Sequence, residues 1–381
     1  MPSAEHSFLL SVLSDHLNHR KTSIPEEMGM DRLYQLSLAQ SVVSIFYYQT
    51  RLPRLKPFFA SENYKALNRR KQLREIHDAF SEVRIPYLIF KGTEIAGYYP
   101  YPELRSMGDV DILVHSEDKE KAGNVFERLG YGTNATGKYA VHEWVWLKEH
   151  IEIELHHALL YDDNYISFTD KTWACATTAD NVRYHLETEF HFVFLLLHLR
   201  KHFLGTGVGI RQFVDLAVMI KNANMDWKKV EGYLSQLGLC AFSEKCFGLI
   251  AKWFGITAPV LSGQISDDFY ESATNMVLSA GVYGLSNYKR FIENLVVNAT
   301  QKRRKVFAFL SLLFPSYQWM KAKYPGMAKS PLLLPILWVR RVMGFLSRKG
   351  VGNAICCTSF FLVKNRSMKE REAVLKQWGL L

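Results

Sequence analysis

Two aspartates separated by one residue are the part of this sequence whose residue types and spacing most directly indicate chemistry. Asp109 and Asp111 open a short apolar segment that runs to Val114, and we interpret this segment as a β-strand. Side chains alternate between the two faces of a strand, so both carboxylates point to the same face. Two carboxylates this close raise each other's pKa unless a cation lies between them. A Mg²⁺ ion bound through carboxylates and substrate phosphates is the usual reason for such a pair.

A second acidic segment follows the same alternation. Glu152, Glu154 and His156 share one face of a predicted strand, and apolar residues occupy the other face. Charged side chains are rarely buried without partners, so we expect this face to lie beside the two aspartates. The result would be a cluster of three or four carboxylates around a metal. Glu152 is either a further ligand or a solvated edge residue.

A lysine and a glycine come directly after another predicted strand, which covers residues 86–90 and precedes the aspartates. Lys91 and Gly92 follow this strand directly, and Thr93 comes next. Glycine lets the backbone approach a phosphate closely. Lysine supplies a point charge for phosphate oxygens. The sequence therefore predicts phosphate binding beside the metal site.

The composition is that of an ordinary globular protein. The 381 residues suffice for two or three domains, with 48% hydrophobic and 22% charged residues. The N-terminus lacks the basic and apolar regions of a signal peptide, and the apolar runs are too short to span a membrane. The five cysteines show no Cys-x-x-Cys pair. We therefore expect a cytoplasmic protein with reduced thiols.

Helical periodicity surrounds the predicted strands and indicates an α+β fold. A small mixed-sheet α/β core would be flanked by N-terminal helices and by a larger C-terminal helical domain. Predicted strands cover residues 86–90, 110–114, 141–147 and 150–156, and predicted helices cover 7–18, 31–49, 62–83, 119–129, 187–223, 228–238, 242–254 and 267–279. We divide the chain into an N-terminal helical region (1–83), the α/β core (84–180), a helical bundle (181–300) and a basic helical C-terminal region (301–381).

Positive charge is concentrated at the end of the chain. From residue 289 onward there are 18 Lys and Arg against 3 Asp and Glu, whereas the whole chain has a net charge of +10. We favour a segment that packs on the bundle with its charges in solvent. Basic residues interleaved with tryptophan and tyrosine are also compatible with peripheral contact with an anionic membrane, here through residues 331–346, and nucleic acid such as tRNA stays open as well.

Together these residues resemble the nucleotidyltransferase superfamily typified by DNA polymerase beta. More closely, the chain is similar to bacterial nucleotidyltransferase-family proteins of largely undefined substrate. The resemblance rests on Lys91-Gly92, Arg105, Gly108 to Val114, Glu154-Leu155-His156, Lys201 to Phe203, Gly207 to Gln212, Asp215, Phe314 to Ser316 and Leu333 to Pro335. Thr93 stands where the broad superfamily has serine, and it retains the hydroxyl.

The resemblance implies a Mg²⁺-dependent enzyme of nucleotidyltransferase fold. Such an enzyme transfers a nucleoside monophosphate from an NTP, with ATP as the first choice, to an acceptor and releases pyrophosphate. Asp109, Asp111 and Glu154 would be the catalytic residues and would hold two Mg²⁺ ions, with Mn²⁺ as a possible substitute. The implied nucleotide-binding residues are Lys91, Gly92, Thr93, Arg105, Gly108, His156 and Arg211, with His156 chiefly orienting its neighbours.

Several alternatives stay open. The acceptor could be a small molecule, a peptide, a protein, a glycan or tRNA. Asp-x-Asp also chelates metal in glycosyltransferases that use nucleotide sugars, and a catalytically silent nucleotide sensor or antitoxin-like partner is a third interpretation. His198 and His202 have the four-residue spacing of a metal site, or they lie on a polar helix face. Arg211 and Asp215 could form a simple ion pair one helical turn apart.

Overall fold

The computed structural model describes residues 2–25, 29–133, 143–160, 164–205, 207–280, 314–317, 320, 330–341, 343 and 365–381. The chain begins with helices α1 (Ala4–Leu17), α2 (Met30–Ala39), α3 (Val43–Thr50) and α4 (Lys56–Val83). The single helix predicted over residues 31–49 is wrong. Ser41 adopts a positive φ of 52° there, which ends α2 and separates it from α3.

The described residues form a six-stranded mixed sheet, which confirms the predicted α+β class. Its strands are β1 (Tyr87–Phe90), β2 (Asp109–Val114), β3 (Glu143–Lys148), β4 (Ile151–His156), β5 (Ala176–Thr178) and β6 (Arg183–Leu186). Their order across the sheet is β3-β4-β2-β1-β6-β5. The β2–β4 and β1–β6 pairs are parallel, and the β1–β2, β3–β4 and β5–β6 pairs are antiparallel.

Helices connect and flank the strands. Short helices α5 (Gly92–Ile95) and α7 (Ile166–Thr169) and the longer α6 (Lys119–Arg128) lie between strands, and 3₁₀ turns cover Ala96–Tyr98, Pro102–Leu104 and Ser116–Asp118. The helical part that follows contains α8 (Thr188–Gly205), α9 (Ile210–Asn222), α10 (Trp227–Gln236), α11 (Cys240–Phe254), α12 (Asp267–Ala280) and a C-terminal helix (Asn365–Gln377).

The β5–β6 hairpin was not predicted from the sequence. Both strands are short and half-exposed, so they lack the clear apolar alternation that marked the other strands. Their turn is held by Asp180, whose Oδ1 accepts the N–H groups of Val182 and Arg183 at 2.9 and 2.8 Å. Through β6 the sheet continues to Leu186, past residue 180. The division into four domains stays a prediction.

The sheet separates two hydrophobic cores. On one face, Val110 and Ile112 pack with residues of α4 and α6 such as Phe80 and Phe126. On the other face, side chains from β1 and β2 pack with α8, the N-terminal helices, the helical bundle and the C-terminal helix. Helix α1 packs directly against α11, so the first and last thirds of the described chain share this second core. The acidic side chains of β2 and β4 belong to this second face.

Much of the predicted basic C-terminal region, including Cys356 and Cys357, lies outside the described residues. Cys175, Cys240 and Cys246 are free thiols, in agreement with the expectation for these three. No helix in the described ranges is both long and apolar enough to cross a bilayer.

Candidate active site

The parallel pairing of β2 and β4 brings the two acidic segments together. Asp111 lies opposite Glu154, and Asp109 lies opposite Glu152. His156 is two residues further along β4 and lies on the same face as Glu154. The register therefore produces the carboxylate cluster that the alternation patterns led us to expect.

Asp111 is the centre of the cluster and has two cationic or polar partners. Its Oδ1 forms an ion pair with Lys91 Nζ. The same oxygen lies 3.0 Å from His156 Nε2, which is also 3.4 Å from Glu154 Oε2. Since both neighbours of Nε2 are carboxylates, this nitrogen is a hydrogen donor. His156 thereby fixes Asp111 and Glu154 relative to each other.

The pKa values record this pairing. Burial alone would raise the pKa of Asp111, but the Lys91 charge and the His156 hydrogen bond outweigh it and lower this pKa to about 2. Burial works against the charged forms of Lys91 and His156 as well, yet contacts with Asp111 raise the pKa of both. The buried centre of the site is therefore a charged network rather than a neutral one.

Asp109 is in a different state from Asp111. The residue is partly open to solvent, but desolvation by the surrounding protein and then the charge of Asp111 raise its pKa. Lys91 and Arg211 oppose this rise without cancelling it. One aspartate is thus neutralised by protein partners, whereas the other is left with excess negative charge. A divalent cation would relieve that excess.

The donor set fits such a cation. Ligand atoms of Asp111, Glu154 and His156 lie within 4.8 Å of one another. Carboxylate oxygens are the ligands that Mg²⁺ prefers, whereas His156 Nε2 carries a hydrogen towards both carboxylates and orients them. Asp109, two residues before Asp111 on the same face, is placed to add a further oxygen.

A family model described as uncharacterised nucleotidyltransferase matches residues 27–255, which is more than half of the chain and includes the whole sheet. This chain belongs to that nucleotidyltransferase family. The protein is therefore an enzyme of the nucleotidyltransferase class. No curated protein and no solved structure matches the chain.

The lysine of the nucleotidyltransferase site sits on an unusual backbone. Lys91 has φ 56° and ψ −128°, a conformation that non-glycine residues seldom adopt. Its N–H donates to His191 Nε2 at 3.1 Å, and its carbonyl accepts the N–H of Ile95 at 2.9 Å. Burial lowers the pKa of His191 to about 4, so the imidazole is neutral and can accept. Local spacing does not predict this role, because His191 lies on a largely apolar helix 100 residues further along the chain.

Gly92 allows an arginine to pass close to the strand end. A Cβ at this position would lie 2.5 Å from Arg105 Nη1. The buried Arg105 guanidinium donates from Nε and Nη2 to the two oxygens of Asp215, each at 2.8 Å. Tyr99 donates its hydroxyl to Asp215 Oδ1 at 2.7 Å. The enzyme therefore uses Arg105 to tie the loop before β2 to α9, and phosphate contact by Arg105 stays a prediction.

That pairing corrects one alternative from the sequence. Asp215 does not form the ion pair with Arg211 that their spacing suggested, because Arg105 already binds both of its oxygens. Arg211 instead donates from Nη1 to the carbonyl of Ser106 at 3.1 Å. Its charge acts on Asp109, so it lies near the open side of the carboxylate cluster.

The remaining predicted residues border the same site. Thr93 lies in the first turn of α5 with its hydroxyl 3.9 Å from Met107 Sδ, and Gly108 is exposed just before β2. His198 and His202 face each other with 3.1 Å between their Nε2 atoms. Burial lowers the pKa of His198, and the positive charge of Lys91 lowers it further. Thr93 and Gly108 keep their predicted nucleotide roles as predictions.

A cavity of about 800 Å³ adjoins this region. It is lined by residues of α5, β5, β6, α8 and α10, among them Glu94, His185 and Lys229. His191 also lines it, so the imidazole that accepts the Lys91 N–H is part of the cavity wall. The cavity is large enough for a small-molecule ligand.

Proposed function

We propose that the protein is a Mg²⁺-dependent, cytoplasmic nucleotidyltransferase of the DNA polymerase beta-like superfamily. It transfers a nucleoside monophosphate from an NTP, with ATP as the first choice, to an acceptor hydroxyl, amine or phosphate and releases pyrophosphate. The observation that carries the proposal is the β2–β4 register, which puts Asp109, Asp111 and Glu154 on one face beside Lys91.

The three carboxylates would bind the metal, and one of them would also accept a proton. Asp109, Asp111 and Glu154 would hold Mg²⁺, which when bound neutralises phosphate charge and stabilises the attacking and leaving oxygens. His156 holds Asp111 and Glu154 in position through its Nε2. Glu154 accepts the proton of the acceptor group as its oxygen or nitrogen forms a bond to the α-phosphorus. The bond from that phosphorus to the bridging oxygen breaks, and pyrophosphate leaves.

Lys91 pairs with a carboxylate in the structure and would pair with a phosphate once the nucleotide is bound. In the structure its ammonium group neutralises Asp111 Oδ1. Asp111 would share this oxygen between Lys91 and a bound divalent cation. The Lys91 ammonium group would then be available to a phosphate oxygen of the nucleotide.

A thermal-shift titration tests the proposal. The four NTPs are added with and without Mg²⁺ to the wild type, to Asp109→Asn/Asp111→Asn and to Glu117→Gln, a control at an exposed position beyond the far end of β2. A ligand that binds only the folded state raises the midpoint by mass action. We expect one NTP to stabilise the wild type and the control only with Mg²⁺, and the double variant to lose the effect. An acceptor screen by pyrophosphate release follows with that nucleotide.

The same titration addresses the alternatives. Family membership favours nucleotidyl over glycosyl transfer. If Mg²⁺ alone raises the midpoint and no NTP does, nucleotide sugars become the donors to examine. If neither metal nor nucleotide has an effect, a catalytically silent partner protein is the better description.

Contact with an anionic membrane is a separate proposal for the C-terminal region. Leu332, Ile336, Val339 and Met343 recur at helical spacing, and each is more than 60% exposed. Arg340 and Arg341 lie beside them. An apolar helix face next to basic residues suits the interface of anionic lipids. Co-sedimentation with phosphatidylserine vesicles should detect it, and Ile336→Asp should abolish it.

A further inference from the structure

Arg69 is a buried arginine that lacks a partner in the part of the chain that the structure describes. It lies in the middle of α4 and is 4% exposed. Its Nε has no hydrogen-bond partner within the described part of the chain, and no ion pair there includes it. Burial of an unpaired guanidinium group costs free energy, so the position of Arg69 calls for a ligand or a function.

The surroundings of Arg69 identify where its charge acts. Burial lowers its pKa, Glu62 and Asp109 oppose this effect, and Arg105 adds to it. Glu62 forms its own ion pair with Lys65 at 2.9 Å. Helix α4 packs against the 3₁₀ turn just before Arg105. The guanidinium group of Arg69 therefore acts on the entrance to β2, where Asp109 begins the strand.

A second arginine contacts the loop just before β2. Arg211 on α9 donates from Nη1 to the Ser106 carbonyl, and its buried Nε has no partner among the described residues. Its charge also acts on Asp109. Two separate helices thus each carry an arginine with an unsatisfied N–H group towards the segment before β2: α4 packs against the 3₁₀ turn Pro102–Leu104, and Arg211 of α9 contacts Ser106. Arg105 itself is occupied by Asp215 and contributes a fixed positive charge nearby.

We propose that Arg69 and Arg211 form an oxyanion subsite at the start of β2, and that this subsite binds phosphate oxygens of a substrate. Guanidinium groups present N–H donors in a planar fork that matches phosphate. The proposal rests on the nucleotidyltransferase function proposed above. Two sources of phosphate oxygens share this chemistry: the polyphosphate end of the nucleotide and an anionic group on the acceptor.

Isothermal titration of the full-length protein with inorganic pyrophosphate in EDTA tests the subsite. The variants are Arg69→Met and Arg211→Met, with Arg70→Met as the matched control. Arg70 is the next residue of the same helix, but its side chain is 57% exposed and it pairs with Glu103 at 3.7 Å. Loss of a charge-assisted hydrogen bond corresponds to about tenfold or more in affinity. We expect that loss in Arg69→Met and Arg211→Met, whereas Arg70→Met stays within about twofold.

Stability of the ligand-free variants separates binding from scaffolding. Methionine keeps the apolar stem of Arg69 and removes the unpaired charge, so the unfolding midpoint of Arg69→Met should stay the same or rise. An arginine that only supported the fold would give a lower midpoint. The subsite is refuted if the wild type binds no pyrophosphate, or if Arg69→Met and Arg211→Met bind it as tightly as Arg70→Met.

Competition identifies the source of the phosphate. If pyrophosphate and Mg²⁺-NTP exclude each other, the subsite holds the nucleotide. If both bind together, it holds an anionic acceptor. Because the pyrophosphate titration contains no metal, its result does not depend on the carboxylates. If the protein binds pyrophosphate in a manner that depends on Arg69 but does not bind Mg²⁺-NTP, the catalytic proposal alone is refuted. If it binds Mg²⁺-NTP but shows no pyrophosphate binding that depends on Arg69, the subsite alone is refuted.

Discussion

In the metal-free protein, Asp111→Asn should lower the free energy of unfolding, whereas Asp109→Asn should raise it. The two residues are separated by one position on the same strand face, and both substitutions are isosteric. Asp111 is a buried carboxylate whose charge is balanced by Lys91 and His156. Asp109 has excess negative charge from its neighbour, which raises its pKa. Loss of charge therefore removes an attraction at one position and a repulsion at the other.

The magnitude for Asp111 follows from its pKa. The ordinary value of 3.8 falls to about 2 in the folded protein. That difference corresponds to about 2.5 kcal/mol of stability at neutral pH. Asp111→Asn also leaves two buried cationic groups without their partner, and loss of one member of a buried pair costs about 3–5 kcal/mol. Because both figures estimate the same interaction, we expect a loss of about 2.5–5 kcal/mol, or a midpoint lower by several degrees or more. Asp109→Asn should raise the midpoint.

The pH dependence gives an independent check. A carboxyl group with a lowered pKa contributes its full stability above the unfolded value of 3.8 and loses it as the pH falls towards 2. The stability difference between wild type and Asp111→Asn should therefore shrink below about pH 4. The assay is urea unfolding followed by circular dichroism in EDTA. Equal losses in both variants, or a larger loss in Asp109→Asn, would refute the unequal roles.

Three further predictions concern Lys91 and two residues that adjoin it, Gly92 and His191. Gly92→Ala places a methyl group against Arg105 and should lower the free energy of unfolding in urea by about 1–3 kcal/mol. Gly97→Ala is the control, because its added Cβ meets nothing within 4 Å, and it should lower this free energy far less. Equal losses in the two variants would contradict the close approach of Arg105 to Gly92. His191 is neutral in the fold with a pKa of about 4 against an ordinary 6.5, so wild-type stability should fall as the pH drops from 6.5 to 4, and His191→Gln should lose less over that range. An unchanged slope in the variant would show that other groups cause the decline. Lys91→Met should tighten Mg²⁺ binding in calorimetry and weaken NTP binding, because the ammonium group occupies a metal-ligand oxygen; weaker binding of both would contradict this competition.

Strand patterns allowed the site to be predicted where its geometry depends on local alternation. The aspartates of β2 and the acidic face of β4 each follow a period of two, and one register joins them. The β5–β6 hairpin escaped prediction because its strands are short and half-exposed, and its turn depends on hydrogen bonds to Asp180. These short, weakly patterned strands are held in the sheet by pairing, β6 with β1 and β5 with β6, and local spacing does not predict such pairing.

The local spacing of residues could not predict contacts between segments that are distant in the sequence. Arg211 and Asp215 are four residues apart, and such helical pairs contribute only about 0.2–0.5 kcal/mol. A buried bidentate pair with Arg105, reinforced by Tyr99, is a stronger competitor for the same carboxylate. Arg69 gave no signal either, because it lies within a run of basic residues on a long amphipathic helix.

The charge balance of the site explains why these distant residues converge on β2. Four carboxylates share one sheet face and repel one another, and in the part of the chain that the structure describes Lys91 and His156 pair with Asp111, while His156 also contacts Glu154. The outer carboxylate, Asp109, retains a raised pKa although several cationic side chains act on it. A site that served stability alone would pair these cations with the acid, as Arg105 is paired with Asp215. Arg69 and Arg211, whose Nε atoms have no partner among the described residues, and a carboxylate with a raised pKa instead suit the binding of a metal ion together with an anionic substrate, whose opposite charges would balance both.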